Sequence, residues 1–260
     1  MAQTERRLVT AHLAVFRSPD PPKVVTAAEV LLTVEAAALS GLRWWQRGKR
    51  RTAHRAAISE AERIAKAETE DWAAYYRRLR QNDPTTILAA LEDAFEDNEH
   101  PAAPIDCQDG VATIVVMFDP VSAIPDRTPA VTPSGRPTLH KRTEKDRHHL
   151  YGEAMASTVL ATVKETYATC QWLQDVKILV IRKDPEPFAP AGYLTAIYAG
   201  RFPAERVARI DWPRVDPVEQ LVIAPDALLY RSGPQRQIIP LTLESEPELK
   251  AVVEQLRRDL

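Results

Sequence analysis

The sequence predicts a mixed α/β (α+β) fold: a small mixed sheet with packed helices, preceded by an N-terminal helical arm or hairpin. Three observations carry this. Residues 26–80 space their apolar positions by threes and fours, the helical period. VATIVVMF (111–118) and VKILVIRK (176–183) are continuous β-branched runs, the pattern of strands buried on both faces. Between them lies a long helical segment in which no charge occurs from Ala154 to Val163, so its middle is expected to be buried nearly all round.

In chain order, residues 5–16 fit either a short helix or a strand, and SPDPPK (18–23) is a proline-rich break. A helix is predicted to begin near Thr26, with Glu29 three residues on in the capping-box arrangement, and to reach Trp44 or Trp45 through a stretch weakened by Gly41 and Gly48. A second arm helix is expected over 52–80, with Ile58, Ala61, Ala65, Trp72, Tyr75, Tyr76 and Leu79 on its apolar stripe and a Glu62–Lys66 pair. Asp83 then Pro84 mark a helix start, as cap and first helical residue. Residues 119–137 read as a long proline-studded loop, PTLHKR as a short edge strand, and 144–169 as the long helix. VKILVIRK and GYLTAIYAGRF (192–202) are expected to pair as an antiparallel hairpin across a loop holding Pro185, Pro187 and Pro190. FPAERVARI suggests a short helix entered through Pro203, and QIIPL a short strand. Ser245 and Glu248 suggest a capping box on the last helix. Residues 211–235 follow neither period. The predicted division is an arm with a basic bend (1–81) and an α/β domain (82–260).

The formal net charge is −2, so affinity for nucleic acid would have to come from a local patch. Two cysteines without a CxxC exclude a disulfide scaffold and a cysteine-built zinc finger, and fit a reduced, cytoplasmic setting. No signal peptide is predicted, and no run reaches the roughly 18 uncharged apolar residues of a membrane span. Abundant Ala, and Arg in excess of Lys, suggest a bacterial source.

Two basic segments stand out. GLRWWQRGKRRTAHRAA (41–57) holds Arg43, Arg47, Lys49, Arg50, Arg51 and Arg55 with no acid among them, and adds Trp44 and Trp45. Cations interleaved with indoles suit a phosphate backbone and stacked bases, or an anionic membrane surface. They equally suit a solvated turn whose indoles pack on the hairpin. RPTLHKRTEKDRHHLYGE (136–153) brings Lys141, Arg142, Arg147 and His148 to the start of the long helix, where free backbone N–H groups favour anions.

No nucleotide-binding glycine motif, serine elbow or HExxH occurs, and no cofactor is predicted. The helix–strand–strand–helix–strand order loosely resembles restriction-endonuclease-like enzymes. Asp119 and the Asp175-Val-Lys177 triplet would then supply the acids, but the long helix lies between their strands, the wrong order for that family. His149 and Glu153, four apart, complete a weak metal-hydrolase alternative. The expected function is that of a non-enzymatic binding or assembly protein of the bacterial cytoplasm. In it the helical arm mediates self-association or docking to a protein partner. Sequence-independent nucleic-acid binding through 43–55 and 136–149 is the first alternative, and a metal-dependent nuclease or hydrolase the second.

Overall fold

The computed structural model describes residues 2–184 and 193–259. It is half helix and about one fifth strand, and its main sheet has four strands. Two compact units form: residues 19–86, and residues 1–18 together with 87–260. The division differs from the one expected at residue 81 because the first eighteen residues belong with the sheet unit.

Residues 19–86 form a helical hairpin. Helix α2 (Ala27–Leu39) starts where expected: the Thr26 N–H donates to the Glu29 carboxylate at 2.8 Å, and Glu29 N–H returns to the Thr26 carbonyl. Helix α3 runs from Arg47 to Arg80. Its buried stripe is Ala57, Ala61 and Ala65, a four-residue repeat of small side chains that brings α2 close. Ile58 and Trp72, expected on that stripe, are exposed instead. The hairpin is antiparallel. Thr69 Oγ1 accepts from Val25 N–H at 3.0 Å near one end, and His54 Nδ1 lies 3.0 Å from Glu35 Oε1 toward the other.

The second unit is organised by its sheet, ordered β1-β2-β5-β6. Strand β1 (Ala102–Gln108) was not anticipated from the sequence. It joins β2 (Val111–Phe118) through Asp109 and Gly110, both at positive φ, which is the two-residue turn that matches strand twist. Cys107 is a buried residue of β1. β2 pairs in parallel with β5 (Asp175–Asp184), Val111 opposite Asp175 and Phe118 opposite Arg182. β5 pairs antiparallel with β6 (Tyr193–Pro203), as expected; the connecting prolines Pro185, Pro187 and Pro190 lie outside the described residues. The loop expected over 119–137 is in part a hairpin of β3 (Arg127–Val131) and β4 (Pro137–Lys141).

Both sheet faces are covered. Val115, Leu179, Ile181, Leu194, Ala196 and Ala199 cluster with Val253 of α8 (Pro247–Asp259). The alternate residues point the other way by the two-residue period of a strand, and Phe118 there meets Tyr151 of α5 with ring centroids 5.3 Å apart. Helix α5 (Glu144–Thr169) is capped by Thr143, whose Oγ1 accepts from Asp146 N–H at 3.1 Å. Fourteen of its residues are buried, among them Ala154, Ala156, Ser157 and Val159, so its uncharged middle is enclosed as expected. Burial pushes the Tyr151 hydroxyl up to about 12 and the Cys170 thiol, at the C-terminal end of α5, also to about 12.

The outer side of α5 is held by the chain's first segment. Helix α1 (Ala2–Thr10) continues into a 3₁₀ turn, and His12 Nδ1 sits 2.9 Å from Ser157 Oγ, both buried. Lys164 donates to the Ala14 carbonyl at 2.6 Å and lies 4.8 Å over the Trp212 ring. Arg142 meets Glu5 at 2.6 Å with both side chains mostly enclosed. Beyond β6 come α6 (Ala204–Val207), entered through Pro203 as predicted, and α7 (Pro217–Ile223). A short hairpin, β7 (Tyr230–Ser232) with β8 (Gln237–Ile239), follows. Ser245 lies in a 3₁₀ turn ahead of α8; its side chain and that of Glu248, the expected capping box, lie outside the described residues.

Gly200 is fixed by a close approach. A Cβ there would clash with the Tyr198 hydroxyl, which donates to the Leu221 carbonyl at 3.2 Å and so ties α7 to the sheet. Gly200→Ala is expected to destabilise the unit by about 1–3 kcal/mol through forced repacking, measured by urea unfolding; an unchanged midpoint would refute the packing.

The buried histidines set a pH dependence. Burial, and then Lys164, lower His12; burial lowers His100 against the pull of Asp119 and Glu99. Both take up a proton less readily folded than unfolded. Their stability contribution is therefore complete above the ordinary histidine value of 6.5 and is lost as pH falls below it. Glu165, raised by burial, acts in the opposite direction as pH approaches the carboxylate range. Unfolding midpoints measured for the wild type and His12→Asn across about pH 7.5 to 5.5 should converge as pH falls. A constant gap between them would remove His12 as a source.

Candidate functional site

The strongest surface feature is the elbow between α2 and α3. Ser40 and Gly41 are the central residues of a type II turn, with Gly41 at φ +80° and Leu42 N–H bonded to the Leu39 carbonyl. Gly41 is thus required by the turn rather than being a weak point in a continuing helix. A second turn follows at once: Gln46 N–H reaches the Arg43 carbonyl at 3.0 Å, and the Gln46 side chain accepts from Arg43 N–H at 3.1 Å. Trp44 and Trp45 are the central residues of that turn, and side chains there point away from the chain reversal. Trp44 is accordingly 73% exposed and Trp45 54%. Their rings meet edge to face at 5.8 Å, and the Arg43 guanidinium sits 5.1 Å over the Trp45 ring.

The cations fan out from this point. Arg50 is used internally, donating to the Leu42 carbonyl at 3.3 Å and closing the elbow. Arg47, Lys49, Arg51 and Arg55 are exposed on the first turns of α3 and make no ion pair among the described residues. Arg50, Arg51, His54 and Arg55 line an open cleft of about 390 Å³ with Glu35 and Leu39. No side chain caps the start of α3, so its first backbone N–H groups and the positive end of a 34-residue helix add to the same field. Exposed indoles beside unpaired cations can stack on planar groups and attract phosphates or carboxylates.

The second basic segment is built differently and lies in the other unit. Arg142 is engaged by Glu5. Arg147 bonds the carbonyls of Val121 and Ile124 at 3.2 and 3.4 Å and meets Glu144 at 3.3 Å, holding the loop after β2 against α5. His148 is buried. Lys141 is exposed at the end of β4. Three of the four predicted anion ligands here thus serve the fold, and only Lys141 faces solvent.

The acids of the hydrolase alternative do not converge. Asp175 lies opposite Val111 at one end of the parallel pair, and Asp119 follows Phe118 at the other. At about 3.3 Å per residue that separates them by roughly 25 Å. Asp175 instead meets Arg201 at 3.6 Å. His149 and Glu153 form an exposed pair at 3.4 Å, and no group of three or more potential metal ligands occurs among the described residues. No helix of the described residues is long and apolar enough to cross a membrane.

Arg142→Ala should cost about 1–3 kcal/mol, because Glu5 is left enclosed without its cation. Lys141→Ala should stay within about 0.5 kcal/mol, as for surface changes generally. Chemical denaturation of the two variants distinguishes these roles, and equal effects would contradict them.

Comparison of the chain with protein-family models, with curated proteins and with solved structures returned no match. Function is therefore inferred from the chain's own geometry.

Proposed function

We propose that this is a non-enzymatic assembly protein whose α2–α3 hairpin is a docking arm. One observation carries the reading: α2, AAEVLLTVEAAAL, is apolar on nearly every side and yet buries no residue. A helix of that composition is ordinarily enclosed. Among the described residues of its own unit it packs against α3, and Val30, Leu31, Val34 and Ala38 are half-buried. Leu32 is 78% exposed, and Trp44 and Trp45 are exposed at the elbow. Contiguous exposed apolar surface of this kind is a feature of protein interfaces. Both cysteines are buried free thiols, which supports a reducing compartment, and the Ala- and Arg-rich composition supports a bacterial one.

A second reading, sequence-independent nucleic-acid binding, is favoured by the elbow alone: two exposed indoles beside four unpaired cations. Lys141 belongs to the other unit and does not enter this reading.

Sedimentation velocity over a concentration series tests the first reading. The wild type should associate, and Leu32→Glu should reduce association without changing helix content by circular dichroism. A wild type that stays monomeric throughout removes self-association as the arm's role. Fluorescence anisotropy with single-stranded oligonucleotides tests the second. Binding should fall about one logarithmic unit per neutralised phosphate per decade of salt, and Arg47→Glu/Arg51→Glu should abolish it. Flat traces at low salt would exclude it.

A further inference from the structure

Charge is divided along α3. Its first turns carry Arg47, Lys49, Arg50, Arg51 and Arg55, whereas residues 60–71 carry Glu60, Glu62, Glu68, Glu70 and Asp71. Local pairs use part of this second set. Arg63 binds Glu60 at 2.9 Å through Nε, and Lys66 lies 3.9 Å from Glu70, not against Glu62 as the sequence suggested. Arg47, Lys49, Arg51 and Arg55 on one side, and Glu62, Glu68 and Asp71 on the other, are left without an ion pair among the described residues. They form no ion pair with one another within a copy: at 1.5 Å per residue Arg51 and Glu68 are about 25 Å apart on a continuous helix, and even Arg55 and Glu62, two turns apart, are separated by about 10 Å.

Arg55, Ile58 and Glu62 follow steps of three and four residues and share one face. All three are exposed, Ile58 at 37%, and the face is not the Ala57-Ala61-Ala65 stripe that meets α2. The order cation, apolar, anion on one face is complementary to itself when reversed.

We infer that a second copy of this chain docks antiparallel along α3, with a two-fold axis beside Ile58, Arg55 of each copy opposite Glu62 of the other, and the two Ile58 side chains in contact. This rests on the docking-arm reading and gives it a partner and a register. The same axis lays the cationic first turns over the segment holding Glu68, Glu70 and Asp71; Lys66, the only cation between residues 64 and 72, lies 3.9 Å from Glu70. A parallel arrangement would oppose like charges along the whole helix. A two-fold interface reuses the same patch on both copies, so one self-complementary face is sufficient.

The test is a charge exchange in the full-length chain, treated with nuclease and followed by sedimentation velocity. Arg55→Glu places two carboxylates together twice per dimer, and Glu62→Arg places two cations together twice. Each should weaken self-association at least about tenfold. The double variant Arg55→Glu/Glu62→Arg reverses both pairs and should restore it. An equimolar mixture of the two single variants should also dimerise, because each then supplies what the other lacks. Recovery in the mixture identifies an intermolecular pair, since a change within one helix cannot be repaired by another molecule. Single variants that associate like wild type, or a mixture that stays monomeric, overturn this register. If Leu32→Glu still disrupts association in that case, the docking arm stands with a different face. Association of the wild type that disappears with nuclease treatment overturns the proposal in favour of nucleic acid.

Discussion

The parallel pairing of β2 with β5 is the constraint on which the sheet unit depends. Antiparallel neighbours can be joined by a two-residue turn, as β1 and β2 are through Asp109 and Gly110. Parallel neighbours require the chain to return the full length of the sheet before the second strand begins. Helix α5 makes that return, and it has to lie on the sheet to do so. Its sheet side is therefore built from Tyr151, Ala154, Met155 and their neighbours, with small residues where the approach is closest. The crossover leaves α5 with a second side to cover. The first segment of the chain supplies the cover, held by His12 on Ser157, Lys164 on the Ala14 carbonyl, and Arg142 on Glu5.

This explains why the basic residues near the start of α5 do not behave as their sequence suggests. A helix docked on two sides offers its N-terminal turns to neighbouring loops, and polar groups enclosed there must find partners. Arg147 satisfies two carbonyls of the loop that leaves β2, and Arg142 satisfies an enclosed carboxylate. The same residue types at the elbow meet no such demand. A two-helix hairpin has little interior, and consecutive tight turns project their central side chains outward. Trp44 and Trp45 remain in solvent for that reason, and the cations beside them remain unpaired.

The arm follows a different economy from the sheet unit. It is held by small-residue packing at Ala57, Ala61 and Ala65 and by few side-chain hydrogen bonds between its helices, Val25 to Thr69 and Glu35 to His54. Its charges are sorted along α3 rather than compensated locally. Local compensation by i,i+3 and i,i+4 pairs is the common arrangement on an exposed helix, and here it is seen at Glu60–Arg63 and Lys66–Glu70. Arg47, Lys49, Arg51 and Arg55 near its start and Glu62, Glu68 and Asp71 further on make no ion pair among the described residues, the pattern on which the docking proposal rests.

The sequence by itself determined the elements whose signals are local. The uncharged middle of α5, the β-branched runs of β2 and β5, the Thr26–Glu29 box and the Asp83 cap all state their own structure, because period and capping act within a turn or two of the chain. Strand β1 was not legible, since AAPIDCQ carries a proline and little alternation; its partner β2, not its own composition, makes it a strand. The basic elbow was visible as a charge run, but whether its cations are free depended on what each one touches. Arg50 and Arg55 look alike in sequence, and one closes the elbow while the other faces solvent. Equally, nothing local distinguishes Ile58 from Ala57. Tertiary structure decided which of them meets α2, because helix packing selects by the closest approach of two axes, and small side chains permit it.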